Sequence, residues 1–224
     1  MTADWTVLVD FDGTLTEVDA DIFIAKALLA PQAYAEIVAL FEAYESTQIN
    51  LPTYFSKYLA VVDLDTPAFF ASLDTVPIRH DLVSLIRSAA TSTEVTILSE
   101  GLDAYMLPIL SRLGLTEIPT VCNRVYREKA AVRIVPDPAA EPCGRCLSCK
   151  GAFVRRKKSG NPNLKTLLIG NGASDLCAAK EADVVFARDS LLAGCEKQNI
   201  PFHPWSTARD IEGHPAWQRV FGLK

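Results

Sequence analysis

The sequence lacks any apolar run approaching the roughly 18 to 20 residues that a helix needs to cross a bilayer. It also lacks the pattern of a signal peptide, because Asp4 stands where a basic flank is expected and the apolar run after it is short. These absences predict a cytoplasmic chain without a membrane partner. Because the cytoplasm is reducing, the six cysteines are expected to be free thiols or metal ligands rather than disulfides.

Sustained positive charge is missing as well. The net charge is −5, and the basic residues are scattered apart from one run at 155–158 (RRKK), which is interpreted as the solvated end of a helix. An acidic chain without a basic stripe argues against nucleic acid as a partner. With 224 residues, the chain can bury one large core, or one core and a small accessory domain.

Short apolar runs alternate with helical patterns along most of the chain. The expected strands are residues 5–9, 94–98, 119–122, 166–169 and 183–187, and residues 126–138 are expected to form a hairpin. The helical patterns between them cover residues 80–90, 102–113, 147–158, 173–182 and 190–198. This alternation predicts an α/β fold with a doubly wound parallel (Rossmann-like) sheet.

One region breaks the alternation. From about residue 18 to residue 76 the periodicity is helical, with no convincing strand. We therefore expect a catalytic core formed by residues 1–16 and 80–224, and an inserted α-helical cap domain formed by residues 17–79.

Two carboxylates follow the first predicted strand, in the segment Asp10-Phe11-Asp12-Gly13-Thr14. Gly13 permits a turn that brings them together. Ser99 follows the second strand, Lys150 starts a helix, and Asp175 follows a glycine-rich turn after another strand. Because the carboxyl ends of parallel strands share one edge, these groups are expected to meet there. Carboxylates, a hydroxyl and a lysine suit a phosphoryl group and a hard cation.

These motifs, in the order DFDGT, Ser99, Lys150 and GNGASD, resemble those of the haloacid-dehalogenase-like hydrolases. The resemblance is greatest to the phosphoserine-phosphatase-like branch, whose helical cap follows the first motif. The Cys-rich segment ending in Cys149-Lys150 is similar to that of the methionine-salvage enolase-phosphate phosphatases. Phosphocholine and phosphoethanolamine phosphatases are similar at greater distance.

The resemblance implies a phosphomonoesterase acting on a small phosphorylated metabolite, with Mg²⁺ as cofactor. Asp10 would be the nucleophile that forms an aspartyl phosphate, and Asp12 the general acid and base. The metal ligands would be Asp10, Asp12, Asn171 and Asp175. The groups that hold the phosphate would be Gly13, Ser99, Gly101 and Lys150.

Asn171 departs from the family pattern, which usually has Asp there. We expect weaker magnesium binding than in relatives, with a catalytically silent protein as the alternative. Substrate specificity is expected from the cap, where Asp19, Lys57 and Tyr58 are candidates. Phosphoserine phosphatases use a basic residue of the cap to hold the head group of the substrate. Where their Arg is expected, this chain has Phe55-Ser56-Lys57-Tyr58, so phosphoserine is disfavoured as a substrate.

Three cysteines form C-x₂-C-x₂-C at Cys143, Cys146 and Cys149, and Cys122 could supply a fourth thiolate. Four thiolates suit a structural zinc site, although the spacing is not that of a standard zinc finger, and free thiols are the alternative. Cys177 and Cys195 lie in helical patterns and are expected in the core.

Other functions remain open from the sequence alone. A phosphomutase or a phosphonate hydrolase could use the same scaffold. Asn171 and the Cys-rich loop also leave room for a non-catalytic metabolite-binding or zinc-stabilised protein. The oligomeric state is not predicted.

Overall fold

The computed structural model of the chain describes residues 4–128 and 131–222. Its strands are β1 (Trp5–Val9), β2 (Glu94–Leu102), β3 (Thr120–Glu128), β4 (Ala131–Val135), β5 (Lys165–Gly170), β6 (Val184–Ala187) and β7 (His203–Pro204). Within the described residues they form one sheet in the order β4-β3-β2-β1-β5-β6-β7. The first strand therefore lies at the centre, where its carboxyl end is flanked by those of β2 and β5.

The sheet is parallel except at one edge. β1 pairs in parallel with β2 and β5, whereas β4 runs antiparallel to β3. The predicted parallel, doubly wound fold is confirmed. A hairpin is present, but it is paired from Arg124 to Val135 rather than over residues 126–138, and its first strand also includes the strand predicted at 119–122. The connection at residues 129–130 lies outside the described residues.

Helices cover both faces of the sheet. They are α1 (Ala20–Leu28), α2 (Pro31–Glu45), α3 (Leu51–Tyr58), α4 (Pro67–Asp74), α5 (His80–Ala89), α6 (Asp103–Arg112), α7 (Lys150–Gly160), α8 (Leu176–Ala179), α9 (Asp189–Gln198), α10 (Ala208–Glu212) and α11 (Pro215–Val220). Among the described residues, none of these helices is both long enough and apolar enough to cross a membrane.

Alternate residues of each strand enter two different cores. In β1, Val7 and Val9 belong to one hydrophobic cluster and Leu8 to the other, because successive side chains of a strand point to opposite faces. Phe153 of α7 and Leu191 of α9 pack into the second cluster. The sheet is thus buried on both sides.

Helices α1 to α4 form the helical segment predicted from the sequence. Sequence signals define their starts: Asn50 accepts a hydrogen bond from the Thr53 N–H at the start of α3, and Thr66 caps α4 in the same way. An isolated antiparallel bridge between Thr16 and Ile78 joins the two ends of the segment. The chain therefore leaves the sheet and returns to it at one place.

Candidate active site

The turn after β1 explains the spacing of the two carboxylates. Asp12 (φ −69°, ψ 124°) and Gly13 (φ 70°, ψ −5°) have the dihedral angles of the central residues of a type II turn. The second of these positions requires glycine because φ is positive. A Cβ atom there would also lie 2.2 Å from Nδ2 of Asn171. Gly13 therefore allows both the turn and the close approach of the loop after β5.

Lys150 connects two of the predicted site residues. Its Nζ lies 2.6 Å from Oδ1 of Asp10 and 2.6 Å from Oδ1 of Asp175, and all three side chains are buried. Burial alone would lower the pKa of Lys150, but the two carboxylates raise it above its usual value. Burial and the charge of Asp175 raise the pKa of Asp10 to about 7, against the opposing effect of Lys150.

Asp175 has hydrogen-bond partners at both of its oxygens. Oδ1 accepts from Lys150, and Oδ2 accepts the backbone N–H groups of Asn171 and Gly172 at 3.1 and 3.0 Å. The short helical turn Ala173–Asp175 folds the carboxylate back onto the loop. These contacts position Lys150 and the glycine-rich loop. In the structure Asp175 anchors these groups, and its role as a metal ligand stays a prediction.

Asp12 is held by two donors from different elements. Oδ1 accepts the Ala20 N–H at the start of α1 (2.9 Å), and Oδ2 accepts the hydroxyl of Tyr105 on α6 (3.0 Å). Burial, followed by the charges of Asp21, Asp19 and Asp10, raises the pKa of Asp12 well above its usual value. A raised pKa favours the protonated form of a carboxyl group, which is the form that a general acid requires.

Thr14 brings two side-chain oxygens towards one point. Its Oγ1 lies 2.8 Å from Oδ1 of Asn171 and 3.4 Å from Oδ2 of Asp10. Oδ2 is the Asp10 oxygen that does not face Lys150. Carboxylate and amide oxygens that share a neighbour in this way are the kind of ligands that Mg²⁺ binds.

Ser99 and Gly101 lie at the neighbouring end of β2. The Gly101 N–H donates to Oγ of Ser99 (2.9 Å), a bond that does not use the proton of the Ser99 hydroxyl. A Cβ atom at Gly101 would lie 2.3 Å from the Tyr105 hydroxyl and 2.7 Å from Oδ2 of Asp12. Glycine at this position therefore leaves space for the contact between Tyr105 and Asp12.

A cavity of about 320 Å³ opens between the sheet edge and the helical segment. Six of the predicted site residues line it: Asp10, Asp12, Asp19, Ser99, Gly101 and Asn171. Lys57 is not among the lining residues and is exposed on α3. Tyr58 is buried, and its hydroxyl donates to the backbone carbonyl of Asp21. Of the three specificity candidates, only Asp19 faces the cavity.

Several lining residues were not predicted. Asp21 accepts a 2.6 Å hydrogen bond from Tyr54, and burial raises its pKa. Tyr44 donates to Oε2 of Glu100, whose pKa burial raises to about 7. Oε1 of Glu100 is buried and has no hydrogen-bond partner among the described residues. Glu100 could have been predicted to line the cavity, because it lies between Ser99 and Gly101. Tyr44 and Tyr54 could not, because their helical spacing is typical of core residues.

The cysteines assemble differently from the prediction. Cys143, Cys146 and Cys149 do come together, but the fourth member of the group is Cys177. The prediction of Cys122 in this group is corrected, because Cys122 lies near the start of β3 and is buried in the hydrophobic core. Cys195 is in the core as expected. Cys177 was expected in the core and is only partly buried, on the short helix α8.

Comparison with known proteins identifies the family to which the chain belongs. The sequence profile of haloacid dehalogenase-like hydrolases matches residues 7–180, so the chain belongs to this family. The matched residues include every motif of the site described above.

Curated relatives narrow the comparison. The chain is 28% identical, over 92% of its length, to a 2-hydroxy-3-keto-5-methylthiopentenyl-1-phosphate phosphatase of Bacillus thuringiensis subsp. konkukian, 93% of which is covered. A protein of the same name from Bacillus anthracis (strain CDC 684 / NRRL 3495) matches with the same identity and coverage.

Solved structures support the fold. A substrate-bound phosphoserine phosphatase superposes with a TM-score of 0.71 at 18% identity, covering 95% of this chain and 99% of the other. A phospho-aspartyl intermediate analogue of phosphoserine phosphatase gives 0.70 at 16% identity, with 94% and 98% covered. At such low identity, these likenesses concern the fold alone.

Proposed function

We propose that the protein is a magnesium-dependent phosphomonoesterase that works through an aspartyl phosphate on Asp10. One observation carries the proposal: Lys150 holds Oδ1 of Asp10 at 2.6 Å, while Asp12 stands beside it with a raised pKa. We therefore assign Asp10 as the oriented nucleophile and Asp12 as the general acid. The names of the curated relatives agree with this reaction type.

The residues present fit a magnesium ion. Oδ2 of Asp10 and Oδ1 of Asn171 both lie within reach of the Thr14 hydroxyl, and hard oxygen donors at one point suit this cation. We assign Asp10, Asn171 and the main-chain carbonyl of Asp12 as its ligands, with Asp175 acting through Lys150. Bound there, the ion would offset charge repulsion and favour ionised Asp10.

In the first step, the Asp10 carboxylate attacks the phosphorus atom and the bond to the leaving oxygen breaks. Two like charges about 4 Å apart repel by about 4 kcal/mol at an effective dielectric near 20. The positive charge of Lys150 offsets part of this repulsion. The Ser99 hydroxyl and backbone N–H groups near Gly13 and Gly101 donate hydrogen bonds to the phosphate oxygens. Asp12 gives its proton to the departing alkoxide.

In the second step, Asp12 has lost its proton and acts as a base. It takes a proton from water, which attacks the aspartyl phosphate and releases inorganic phosphate. Tyr105 and the Ala20 N–H keep the carboxylate in place for both proton transfers. The helical segment covers the cavity, and we propose that residues 17–79 act as a cap that excludes bulk water.

The charge of the cavity points to the class of substrate. On the side of the helical segment its lining includes Asp19, Asp21 and Glu45, and no lysine or arginine is among the lining residues in the described part of the chain. Burial, and the charge of Asp21, raise the pKa of Asp19 to about 7. Above about pH 7, where Asp19 is ionised, a substrate body that carries a carboxylate would meet like charge here, whereas a neutral or cationic body would not. This disfavours phosphoserine and accommodates the enolase phosphate of the relatives.

Activity on p-nitrophenyl phosphate with and without Mg²⁺ tests the reaction type, alongside Asp10→Asn. We expect activity only with magnesium present and none in the variant. Activity that persisted unchanged in Asp10→Asn would overturn the nucleophile assignment. No activity in the wild-type chain on p-nitrophenyl phosphate or on any metabolite tested would favour a binding protein instead.

A matched pair of substrates tests the class. Phosphoserine and phosphoethanolamine differ only by the carboxylate. The ratio of their kcat/KM values therefore measures how much the carboxylate weakens binding of the transition state. We expect phosphoethanolamine to be preferred at least about 10-fold, which is roughly 1.4 kcal/mol. The enolase phosphate and phosphocholine complete the panel, and a preference for phosphoserine would reject the assignment.

A further inference from the structure

The loop that precedes Lys150 carries three cysteines, and these meet a fourth, Cys177, from α8. Their sulfur atoms all lie within 4.8 Å of one another, and Cys146 and Cys149 are buried. The six cysteines of the chain are all free. We propose that Cys143, Cys146, Cys149 and Cys177 bind one structural Zn²⁺ ion.

The geometry suits a tetrahedral thiolate site. Zn–S bonds of about 2.3 Å place sulfur atoms about 3.8 Å apart at the corners of a tetrahedron. The observed spacing of up to 4.8 Å therefore needs only small side-chain movements to close on a metal. Four sulfur ligands without an open position are typical of structural zinc rather than catalytic zinc.

The backbone around the cysteines is shaped for such a site. The Cys143 N–H donates to the Cys146 carbonyl (3.3 Å), and Gly144 between them has φ 89° with open space beside it. This closes a tight turn that points two thiols to the same side. Cys149 is the N-cap residue of α7, where the helix dipole favours a thiolate. Cys143 is exposed and offers the metal a route in.

The fourth ligand comes from a distant part of the chain. Cys177 lies in α8, and a Cβ atom on Gly151 would lie 2.4 Å from its carbonyl oxygen, so α7 and α8 are in close contact. Cys149 directly precedes Lys150, and Cys177 follows two residues after Asp175. A metal here would fix the backbone on both sides of the ion pair between Lys150 and Asp175.

The site therefore has a role in the active centre without touching the substrate. The buried ion pair depends on the position of two backbone segments, of which the loop before α7 has little regular structure from residue 136 to residue 149. A bound metal ion would hold this loop in one conformation, which its few regular hydrogen bonds do not. Metal binding is independent of the phosphatase assignment, because it can be measured without any turnover.

The test compares Cys177→Ala with Cys122→Ala. Both replace a cysteine by alanine, but only the first removes a proposed ligand. Protein produced in zinc-supplemented medium is analysed for zinc and iron by mass spectrometry, with thiol counting under native conditions. We expect about one zinc per chain in the wild type and in Cys122→Ala, and a loss of at least about 5-fold in Cys177→Ala.

Cobalt gives a second readout that does not require the variant to fold. Zinc-free wild-type chain titrated with Co²⁺ should develop the sulfur-to-metal charge-transfer bands of a tetrahedral thiolate site, saturating at about one equivalent. Zinc content equal in Cys177→Ala and wild type would overturn the ligand set. Absence of both zinc and the cobalt bands, or iron in place of zinc, would overturn the site as proposed.

Discussion

The hydroxyl of Tyr105 donates a 3.0 Å hydrogen bond to Oδ2 of Asp12, from a helix that follows a different strand. This bond leaves only one orientation for a carboxyl group that must both give and take a proton. Tyr105→Phe removes the hydroxyl and keeps the ring. We expect kcat to fall about 10-fold with a small change in KM, because proton transfer depends on this orientation.

Steady-state kinetics with p-nitrophenyl phosphate measure the effect of this change. Tyr126→Phe is the matched control, because Tyr126 is exposed on the hairpin and carries the same hydroxyl. Equal kcat values for Tyr105→Phe and the control would contradict a positioning role for Tyr105.

The absence of a side chain at Gly101 leaves room for the hydrogen bond between Tyr105 and Asp12. In Gly101→Ala, the new Cβ atom would meet the Tyr105 hydroxyl and Oδ2 of Asp12 at less than 3 Å. We expect a loss of activity of about 100-fold, because misplacement by about 1 Å can have an effect of this size. Gly160→Ala is the control, since nothing lies within 4 Å of a Cβ atom there. Circular dichroism should show that both variants fold.

The charge balance around Lys150 predicts opposite stability effects for two substitutions. Lys150→Met leaves Asp10 and Asp175 buried without a cation, which should destabilise the fold by about 3 to 5 kcal/mol. For a chain of this size, that lowers the melting temperature by about 10 °C. Asp10→Asn removes the repulsion with Asp175 and should leave the melting temperature unchanged or higher.

Thermal unfolding followed by circular dichroism measures both variants. Lys157→Met on the same helix is the control, because Lys157 forms an ion pair with Glu94 at the surface, where such pairs contribute little. A similar, small change for Lys150→Met and Lys157→Met would contradict the charge balance described for the site.

Asn171→Asp restores a carboxylate to the proposed metal site. The substitution adds a negative charge beside Oδ2 of Asp10, so the affinity for Mg²⁺ should rise by about 10-fold. Isothermal titration of Mg²⁺ into both proteins measures this without substrate. Unchanged affinity would show that residue 171 does not bind the metal, and would leave the departure from the family pattern without a functional consequence.

Acid stability should depend on Asp183. Burial acts to raise its pKa, but hydrogen bonds from Lys158, Lys165 and the Thr166 N–H lower it to about 2. Because the folded-state pKa lies below the unfolded value, the stabilisation is present above about pH 4 and is lost as the pH falls towards 2.

Urea unfolding at pH 7 and at pH 3 measures this contribution, with Asp183→Asn compared with the wild type. With partial solvent screening, we expect Asp183→Asn to cost about 1 to 2 kcal/mol at pH 7 and less at pH 3. A penalty that stays the same at both pH values would exclude the carboxylate charge as the cause.

The parts of the fold and site that follow from the sequence are those set by local patterns. Parallel strands end at one edge, so Asp10, Ser99 and the loop after β5 could be placed together before any coordinates were known. The type II turn at Gly13 is also local. The roles at the phosphate came from motif resemblance, and Lys150 then proves to lie at the centre of the buried charges.

What the sequence could not predict depends on how distant segments meet. The turn at Ala173–Asp175 directs the Asp175 carboxylate towards backbone N–H groups, which its position after a strand does not reveal. Cys177 joins the cysteine loop because α7 packs on α8, whereas its helical spacing indicated a core residue. Tyr105 reaches Asp12 from a helix whose pattern is that of ordinary core packing.

The bridge between Thr16 and Ile78 has a consequence for how such proteins diversify. Because the chain departs and re-enters at adjacent backbone positions, the intervening helices form a module that can be exchanged without altering strand order. Substitution in this module can change the carboxylates that face the substrate while Asp10 and Lys150 stay fixed. We expect a transplanted helical module to bring its own substrate preference to the same reaction centre when it keeps the backbone N–H at residue 20 that holds Asp12.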